Sequence, residues 1–384
     1  MKQSTDRILT THVGSLPRSQ PVYELLRRQE EEQPLDAATF DTTVAQAVND
    51  IVARQVAIGI DVVSDGEMSK ASYATYVKDR LSGFSGNSER KIARDLRDYP
   101  DFRKRIAAMI GPQIFRRPLC TGAVRLANPE PLRKDIEHFR AAVAKSKPTD
   151  AFMNAASPGV ITSFLPNQHY PTTSAYIDAV AAAMRPEYEA IVAAGFVLQV
   201  DCPDLAMSRH TGFQDLSEAE FLRQAEHQVE ALNEALADVP ATSVRMHICW
   251  GNYEGPHDYD VPLEKILSVI LKAKPQAISF EASNPRHEHE WIVWQEAKVP
   301  EDKILIPGVV DTLTNVVEHP ELVAQRLCRF ADIVGRERVL AGSDCGFGTA
   351  AGHGKLDPEI SFKKLASIVE GAARASDRLW KRRA

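Results

Sequence analysis

Short apolar runs rich in valine and isoleucine alternate with longer stretches of helical periodicity along this chain of 384 residues. The repeat predicts a parallel sheet with helices packed outside it, because a short run reads as a buried strand and a 3.6-residue period as a helix. The predicted strands are 8–13, 60–64, 119–124, 151–155, 196–200, 244–249, 277–280, 304–309 and 339–342. The clearest predicted helices are 42–58, 174–194, 217–237, 263–272, 320–334 and 362–373.

Nine predicted strands are one more than a closed (β/α)₈ barrel holds. We expect a single α/β barrel of the TIM type over residues 1–384, with 119–124 as the extra strand. Residues 82–117 are rich in arginine, lysine and aspartate, which predicts a charged, solvated helical insertion. A Gly/Ser-rich or Pro-rich linker that would divide the chain is absent from the sequence.

Composition excludes several classes of function. The net charge of -6 does not favour nucleic-acid binding, which needs a basic surface. The apolar stretches are shorter than the roughly 20 residues of a membrane helix, and the N-terminus lacks the apolar core of a signal peptide. Five cysteines in a long chain do not indicate a disulfide framework. We therefore expect a cytoplasmic protein with reduced thiols.

A pattern typical of metal ligands stands at the ends of three predicted strands. His247 and Cys249 are two residues apart, so on a strand both point to the same side. Glu281 and Cys345 each follow a short apolar run. The carboxyl ends of parallel barrel strands share one face, where active sites lie. Imidazole, thiolate and carboxylate ligands together predict a Zn²⁺ site made of His247, Cys249, Glu281 and Cys345.

The predicted ligand set favours one kind of zinc chemistry. Two thiolates and a carboxylate make the site electron-rich, which suits holding a substrate thiol as a thiolate better than generating hydroxide. We expect Glu281 to be the ligand that the substrate thiol displaces. Other possible ligands are Cys202, His287 and His289. Two alternative roles for the zinc also remain open, a hydrolase and a structural site. We expect Cys120 and Cys328 to lie in the core.

Ordered motifs along nearly the whole chain resemble the C-terminal catalytic barrel of the cobalamin-independent methionine synthases. They are residues 11–18, Gly66-Glu67, residues 198–203 and the zinc pattern above. The resemblance implies alkyl transfer to a zinc-bound thiol on a (β/α)₈ barrel. It also implies that Ser15, Glu67 and Asp201 hold the amino acid part of homocysteine. The backbone N–H groups from Val13 to Ser15 would then receive its carboxylate.

Two departures from that family leave the alkyl donor open. Its classical members have a second, N-terminal barrel, which this sequence lacks. They also carry a histidine shortly after Pro-Gly-Val, where Leu313 stands here. The donor is therefore expected to be a methyl-folate, a methyl-corrinoid protein or a small S-methyl compound.

A second resemblance offers an alternative function. Residues 247–251, 255–257 and 283–291 are similar to the epoxyalkane:coenzyme M transferases, single-barrel relatives that add a zinc-bound thiol to an epoxide. Coenzyme M carries a sulfonate, so its pocket should need cations such as Arg18, Arg209 or Arg286. The favoured interpretation is a zinc-dependent thiol alkyltransferase that methylates homocysteine to methionine.

Overall fold

The computed structural model describes residues 1–89, 91–111, 113–352, 354 and 356–381. The strands in chain order are β1 Leu9–Thr10, β2 Val62–Val63, β3 Phe84–Ser85, β4 Leu119–Cys120, β5 Asp150–Ala156, β6 Val197–Asp201, β7 Val244–Ile248, β8 Ala277–Phe280, β9 Ile304–Pro307 and β10 Leu340–Ala341. The α-helices are α1 Gln20–Glu30, α2 Ala37–Ile58, α3 Arg94–Asp98, α4 Pro100–Ile110, α5 Glu130–Ser146, α6 Pro158–Phe164, α7 Thr173–Ala193, α8 Glu218–Ala235, α9 Leu263–Ile270, α10 Trp291–Glu296, α11 Pro320–Val334 and α12 Pro358–Lys381.

Eight parallel strands form the barrel that the alternating pattern predicts. Six of them pair in the order β2-β5-β6-β7-β8-β9, and β1 pairs with β10. Parallel bridges from Leu305 to Val339 and from Gly308 to Gly342 join β9 to the β10 segment. The backbone N–H of Asp61 donates to Thr10 O over 3.2 Å, which joins β1 to the start of β2. The TIM-type α/β fold is therefore confirmed.

The ninth predicted strand lies outside the barrel, as expected. β4 pairs antiparallel with β3, with Phe84 opposite Cys120 and Ser85 opposite Leu119. An antiparallel pair can be joined directly, whereas a parallel neighbour in the barrel needs a crossover helix. This hairpin frames the segment that the charge pattern singles out as an insertion.

The insertion packs against the face of the barrel at the carboxyl ends of the strands. It contains α3 and α4, while Arg90 and Pro112 lie outside the described residues. Asp95 in α3 is only 1% exposed, because it accepts hydrogen bonds from the Tyr253 hydroxyl and the His257 backbone N–H. The segment is therefore not merely a solvated surface, a distinction that a run of charges in the sequence cannot reveal.

The predicted helices differ from the observed ones mainly at their ends. α12 is the largest exception, because it begins four residues before the predicted 362 and continues beyond 373. Ser217 and Glu220 form the expected capping box at the start of α8, and Gly59 ends α2 with a left-handed φ of 101°. None of the described helices combines the length and apolarity needed to cross a membrane.

A layer of buried polar groups fills the barrel below the carboxyl ends of the strands. Arg245 on β7 is fully buried; its Nε donates to Gln199 Oε1 over 2.6 Å and its Nη1 to Thr11 Oγ1 over 2.9 Å. The guanidinium also stacks 3.6 Å from the Phe152 ring centroid. These contacts satisfy the buried cation, as an apolar interior requires, and they fix β7 immediately below its functional end.

Candidate metal and substrate site

Two strands bring three potential metal ligands together at the carboxyl end of the barrel. His247 lies in β7, Cys249 follows that strand, and Cys345 follows β10. The Cys249 and Cys345 sulfur atoms are 3.6 Å apart. One ligand atom from each of the three residues lies within 4.8 Å of the others, and all three side chains are buried. This arrangement matches three of the four predicted ligands.

The environment of these side chains suits a bound cation. Both ring nitrogens of His247 are buried, and neither makes a hydrogen bond of good geometry to the described residues, although the Ser279 backbone lies close to the ring. Burial, assisted by nearby Arg245, lowers the pKa of His247 to about 3, so its imidazole is neutral and can donate a lone pair. The shared hydrogen bond with Cys345, burial and the Glu281 charge raise the pKa of Cys249. A divalent cation would reverse the thiol preference and engage the imidazole.

Glu281 lies beside this group but is held by other donors. Its Oε1 accepts from the Trp250 backbone N–H over 2.7 Å, and its Oε2 accepts from Asn284 Nδ2 over 2.6 Å. Among the described residues, the group within 4.8 Å contains His247, Cys249 and Cys345 and not Glu281. The role of Glu281 as a fourth ligand therefore stays a prediction.

Asp344 fixes the loop that carries Glu281. Its Oδ1 accepts from the backbone N–H groups of Ala282 and Ser283 over 2.8 and 2.9 Å, and its Oδ2 from that of Asn284 over 2.8 Å. Since Asp344 directly precedes Cys345, one carboxylate sets the position of both loops. The sequence motif indicated Cys345 as a ligand but gave no sign of this second contribution.

The competing ligands lie in other environments. Cys202 contacts Val200 O through its sulfur at 3.6 Å, and His287 is held between Asp260 and Glu290 at 3.0 and 2.9 Å. His289 is exposed. Of the two cysteines expected in the core, Cys120 is buried and Cys328 half-buried.

A small cavity of about 40 Å³ joins the three ligands to the predicted substrate residues. It is lined by Val13, Ser15, Glu67, Tyr73, Asp201, Pro203, Met207, His247, Cys249, Asn252, Cys345, Gly346 and Thr349. Residues from the ends of five strands, β1, β2, β6, β7 and β10, therefore meet here, as the barrel topology requires of an active site.

The two carboxylates of the cavity differ in how they are held. Asp201 accepts from Asn154 Nδ2 at 3.0 Å and from Gln199 Nε2 at 2.8 Å, whereas Glu67 Oε2 has no hydrogen-bond partner and lies 3.7 Å from Arg18. Burial raises the pKa of Glu67 to about 7 and that of Asp201 to about 6. An arriving cation would favour the ionised form of both groups.

Glu67 also has an unusual backbone conformation. Its φ is 58°, in the left-handed region that non-glycine residues adopt at a cost of roughly 1–3 kcal/mol. Gly66, with a φ of 68°, precedes it and makes the tight turn possible. The turn aims the Glu67 side chain into the cavity, so the strain occurs where the side chain is used.

The backbone N–H groups expected to receive a substrate carboxylate are partly occupied. Val13 N–H donates to Ser343 Oγ over 3.2 Å, and Gly14 N–H donates to His12 Nδ1 over 3.1 Å. Ser15 lines the cavity directly. Ser15 is therefore better placed than Val13 to contact a carboxylate, although the substrate role of either residue stays a prediction.

Sequence reasoning missed the loop residues that connect the small cavity to a larger one of about 380 Å³. Tyr73, Met207, Asn252 and Thr349 line both. They lie on loops after four different strands, and none belongs to a repeated pattern in the sequence. Only the order of the strands around the barrel could have indicated that these loops meet.

Comparison with known proteins agrees with this site. The model of the family "Cobalamin-independent synthase, Catalytic domain" matches residues 8–99 and 104–372. The chain belongs to this family. Among the curated members, it is 25% identical over 371 residues to the methionine synthase of Saccharolobus solfataricus, covering 94% of this chain and 93% of the relative. It is 25% identical over 381 residues to that of Sulfolobus acidocaldarius, covering 97% and 94%.

A solved structure of the same family shares the fold. It is the B12-independent methionine synthase from Shewanella sp. W3-18-1 in complex with selenomethionine. The TM-score is 0.74 at 21% identity, covering 98% of this chain and 99% of that chain. The family assignment made from the sequence motifs is thus confirmed, and with it the methyltransferase class.

The raised pKa of Glu67 predicts how stability depends on pH. Between about pH 4.5 and 7, Glu67 is protonated in the native state and ionised in the unfolded chain. The contribution of Glu67 to the free energy of unfolding therefore falls as pH rises through that window. Glu67→Gln should therefore gain stability relative to the parent between pH 5 and pH 8, by roughly 1–3 kcal/mol. Urea unfolding at both pH values measures this gain.

Four charged groups act on Glu67: Arg18, Asp65, Lys70 and Asp201. All four are also present in the variant, so the comparison measures the loss of the Glu67 charge together with its coupling to Asp201, whose pKa of about 6 lies in the same window. Glu264→Gln, at an exposed position, serves as the matched control and should show no such trend. A stability difference for Glu67→Gln that is constant or that falls with pH would contradict the assigned environment.

Proposed function

We propose that this protein is a zinc-dependent thiol methyltransferase that converts homocysteine to methionine. One observation carries the proposal: the group of His247, Cys249 and Cys345 opens onto a cavity with two buried carboxylates. Metal ligands for a thiol and acceptors for an ammonium therefore lie in one small volume. Homocysteine carries both groups.

The chemistry of the donors supports zinc as the metal. Two sulfurs and a neutral imidazole match the soft and borderline ligands that Zn²⁺ prefers. Zinc bound there would supply the reactive nucleophile by holding the substrate thiol in its deprotonated form. Glu281 is proposed as the fourth, replaceable ligand, since Trp250 N–H and Asn284 Nδ2 can hold its carboxylate when the substrate sulfur arrives.

The substrate ammonium is proposed to bind between Glu67 and Asp201. Glu67 Oε2 and Asn154 Oδ1 are both buried acceptors without a hydrogen-bond partner among the described residues, and an ammonium has three N–H groups to donate. Ser15 would contact the substrate carboxylate. The names of the relatives and the selenomethionine in the Shewanella complex support an amino acid substrate of this type.

The surroundings of the site speak against coenzyme M. No arginine or lysine is among the described residues that line the small cavity. Arg18 donates instead to backbone carbonyls, at 2.9 Å to Glu67 O and 3.0 Å to Lys70 O. Arg209 contacts Phe213 O at 3.4 Å, and Arg286 is exposed. A sulfonate would face two carboxylates instead of a cation.

A hydrolase is disfavoured because two thiolates make bound water a poor acid.

The cellular location of the enzyme is inferred from the same thiols. Cys249 and Cys345 must stay reduced to bind metal, which fits the reducing cytoplasm. A cytoplasmic location is therefore part of the proposal.

Replacing Cys345 tests the metal role. Cys345→Ser should lower bound zinc from about one ion per chain by at least tenfold and abolish methylation of homocysteine, because a serine hydroxyl does not replace a thiolate. Inductively coupled plasma mass spectrometry measures the zinc, and circular dichroism should show that the barrel remains folded.

The matched control is Cys328→Ser, a half-buried cysteine outside the ligand group. It should keep its zinc and its activity. Full zinc content in Cys345→Ser would contradict the ligand assignment. Global unfolding of that variant, with the control intact, would instead indicate a structural metal.

Glu67→Gln tests recognition of the ammonium. At pH 8 the variant should bind homocysteine at least tenfold more weakly, because one of the two negative charges is lost. Its affinity for 4-mercaptobutyrate, which is homocysteine without the amine, should change less than twofold. Isothermal titration calorimetry with the zinc-loaded protein measures both, and equal losses for the two thiols would refute the assigned role.

A further inference from the structure

The larger cavity lies directly beside the site at which the thiol is proposed to bind. Its volume of about 380 Å³ lies at the lower end of the range for small-molecule pockets, roughly 300–1,000 Å³. Asn252 and Met207 line both cavities, so a molecule in the larger one adjoins Cys249 and Cys345. The alkyl donor has to approach the sulfur from such a position.

The charged insertion builds one wall of this cavity. Leu96 from α3, Ile106 and Ile110 from α4, and Phe115 from the following segment line it. Ile106 is only 6% exposed, whereas Met109 on the same helix is 62% exposed. The insertion therefore turns several apolar side chains toward the cavity, beside Gln113 and Arg117 of the same segment.

Specific contacts fasten the insertion to the barrel loops. The Arg94 backbone N–H donates to His210 O over 2.9 Å, and the Arg94 guanidinium lies 4.2 Å from the Tyr259 ring centroid. Tyr259 OH donates to Asp98 over 2.6 Å. Together with buried Asp95, these contacts join α3 to the loops that follow β6 and β7. The wall is thus a fixed part of the site.

The rest of the cavity lining is mixed but mainly apolar. Phe164, Leu313 and Phe347 contribute apolar surface, and Arg18, Arg117 and Glu254 contribute charged groups. An apolar surface favours an apolar ligand body, because water leaves both surfaces on binding. It offers little to a large, polar group presented by another protein.

Resting on the proposed function, we propose that the alkyl donor is a free small molecule with an apolar body, selected by the insertion wall of Leu96, Ile106 and Phe115. The methyl carbon forms a bond to the substrate sulfur while its bond to the leaving atom breaks. The leaving atom departs with the electron pair, and the thiol proton passes to solvent.

Methyl 4-toluenesulfonate is a suitable probe, because it is a neutral aromatic methyl donor whose leaving group needs no proton. The zinc-loaded enzyme should methylate homocysteine with this probe, with saturation kinetics above the uncatalysed rate. Ile106→Trp fills the cavity and should raise the KM for the probe at least tenfold. Its zinc content and its calorimetric affinity for homocysteine should stay within twofold of the parent.

Met109→Trp is the matched control, since it places the same indole on the solvent side of α4, and its KM should change less than twofold. Leu96→Trp provides a second filled cavity if Ile106→Trp does not fold. The inference would be overturned if the KM changed equally in the filled and control variants. It would also be overturned if the enzyme methylated homocysteine from methylcobalamin but not from the probe. Failure of the zinc-loaded parent enzyme to bind homocysteine would instead refute the proposed function.

Discussion

The site depends on two buried sulfur atoms only 3.6 Å apart beside an imidazole that makes no hydrogen bond of good geometry to the described residues. Buried polar atoms without partners are costly, and neither Cys249 nor Cys345 offers His247 a hydrogen bond. A divalent cation would satisfy all three at once. The barrel makes this convergence possible, because β7 and β10 end on the same face although their cysteines are nearly a hundred residues apart in sequence.

The polar layer below the site holds these ends in place. Arg245 joins Gln199 and Thr11 inside the barrel, and Gln199 in turn supports Asp201. Asp344 fixes the loop of Glu281 from the other side. Asp344, whose two oxygens accept from backbone N–H groups, acts as structure, whereas Glu67 has an oxygen without a hydrogen-bond partner among the described residues.

Much of the fold and part of the site could be predicted from the sequence. The alternation of strands and helices determined the barrel, and the spacing of His247 and Cys249 placed two ligands on one side of a strand. The contacts of Glu281 with Trp250 and Asn284 could not be foreseen, because they depend on how two loops meet. Likewise, a charge run predicts exposure on average, but it does not show that Asp95 is buried beneath Tyr253.

Residues of the charged insertion line the larger cavity, which the composition of the segment does not predict. Apolar residues of this charge-rich segment, such as Ile106, complete a pocket built mainly by barrel loops. The proposed acceptor site lies at the strand ends of the barrel, and the proposed donor site lies against this segment.

Zinc-edge X-ray absorption of the purified protein, with and without homocysteine, tests the central claim most directly. The account predicts zinc with two sulfur ligands, which becomes three when homocysteine binds and does not change with coenzyme M. A sulfur coordination number that stays the same with homocysteine would contradict activation of the thiol by the metal.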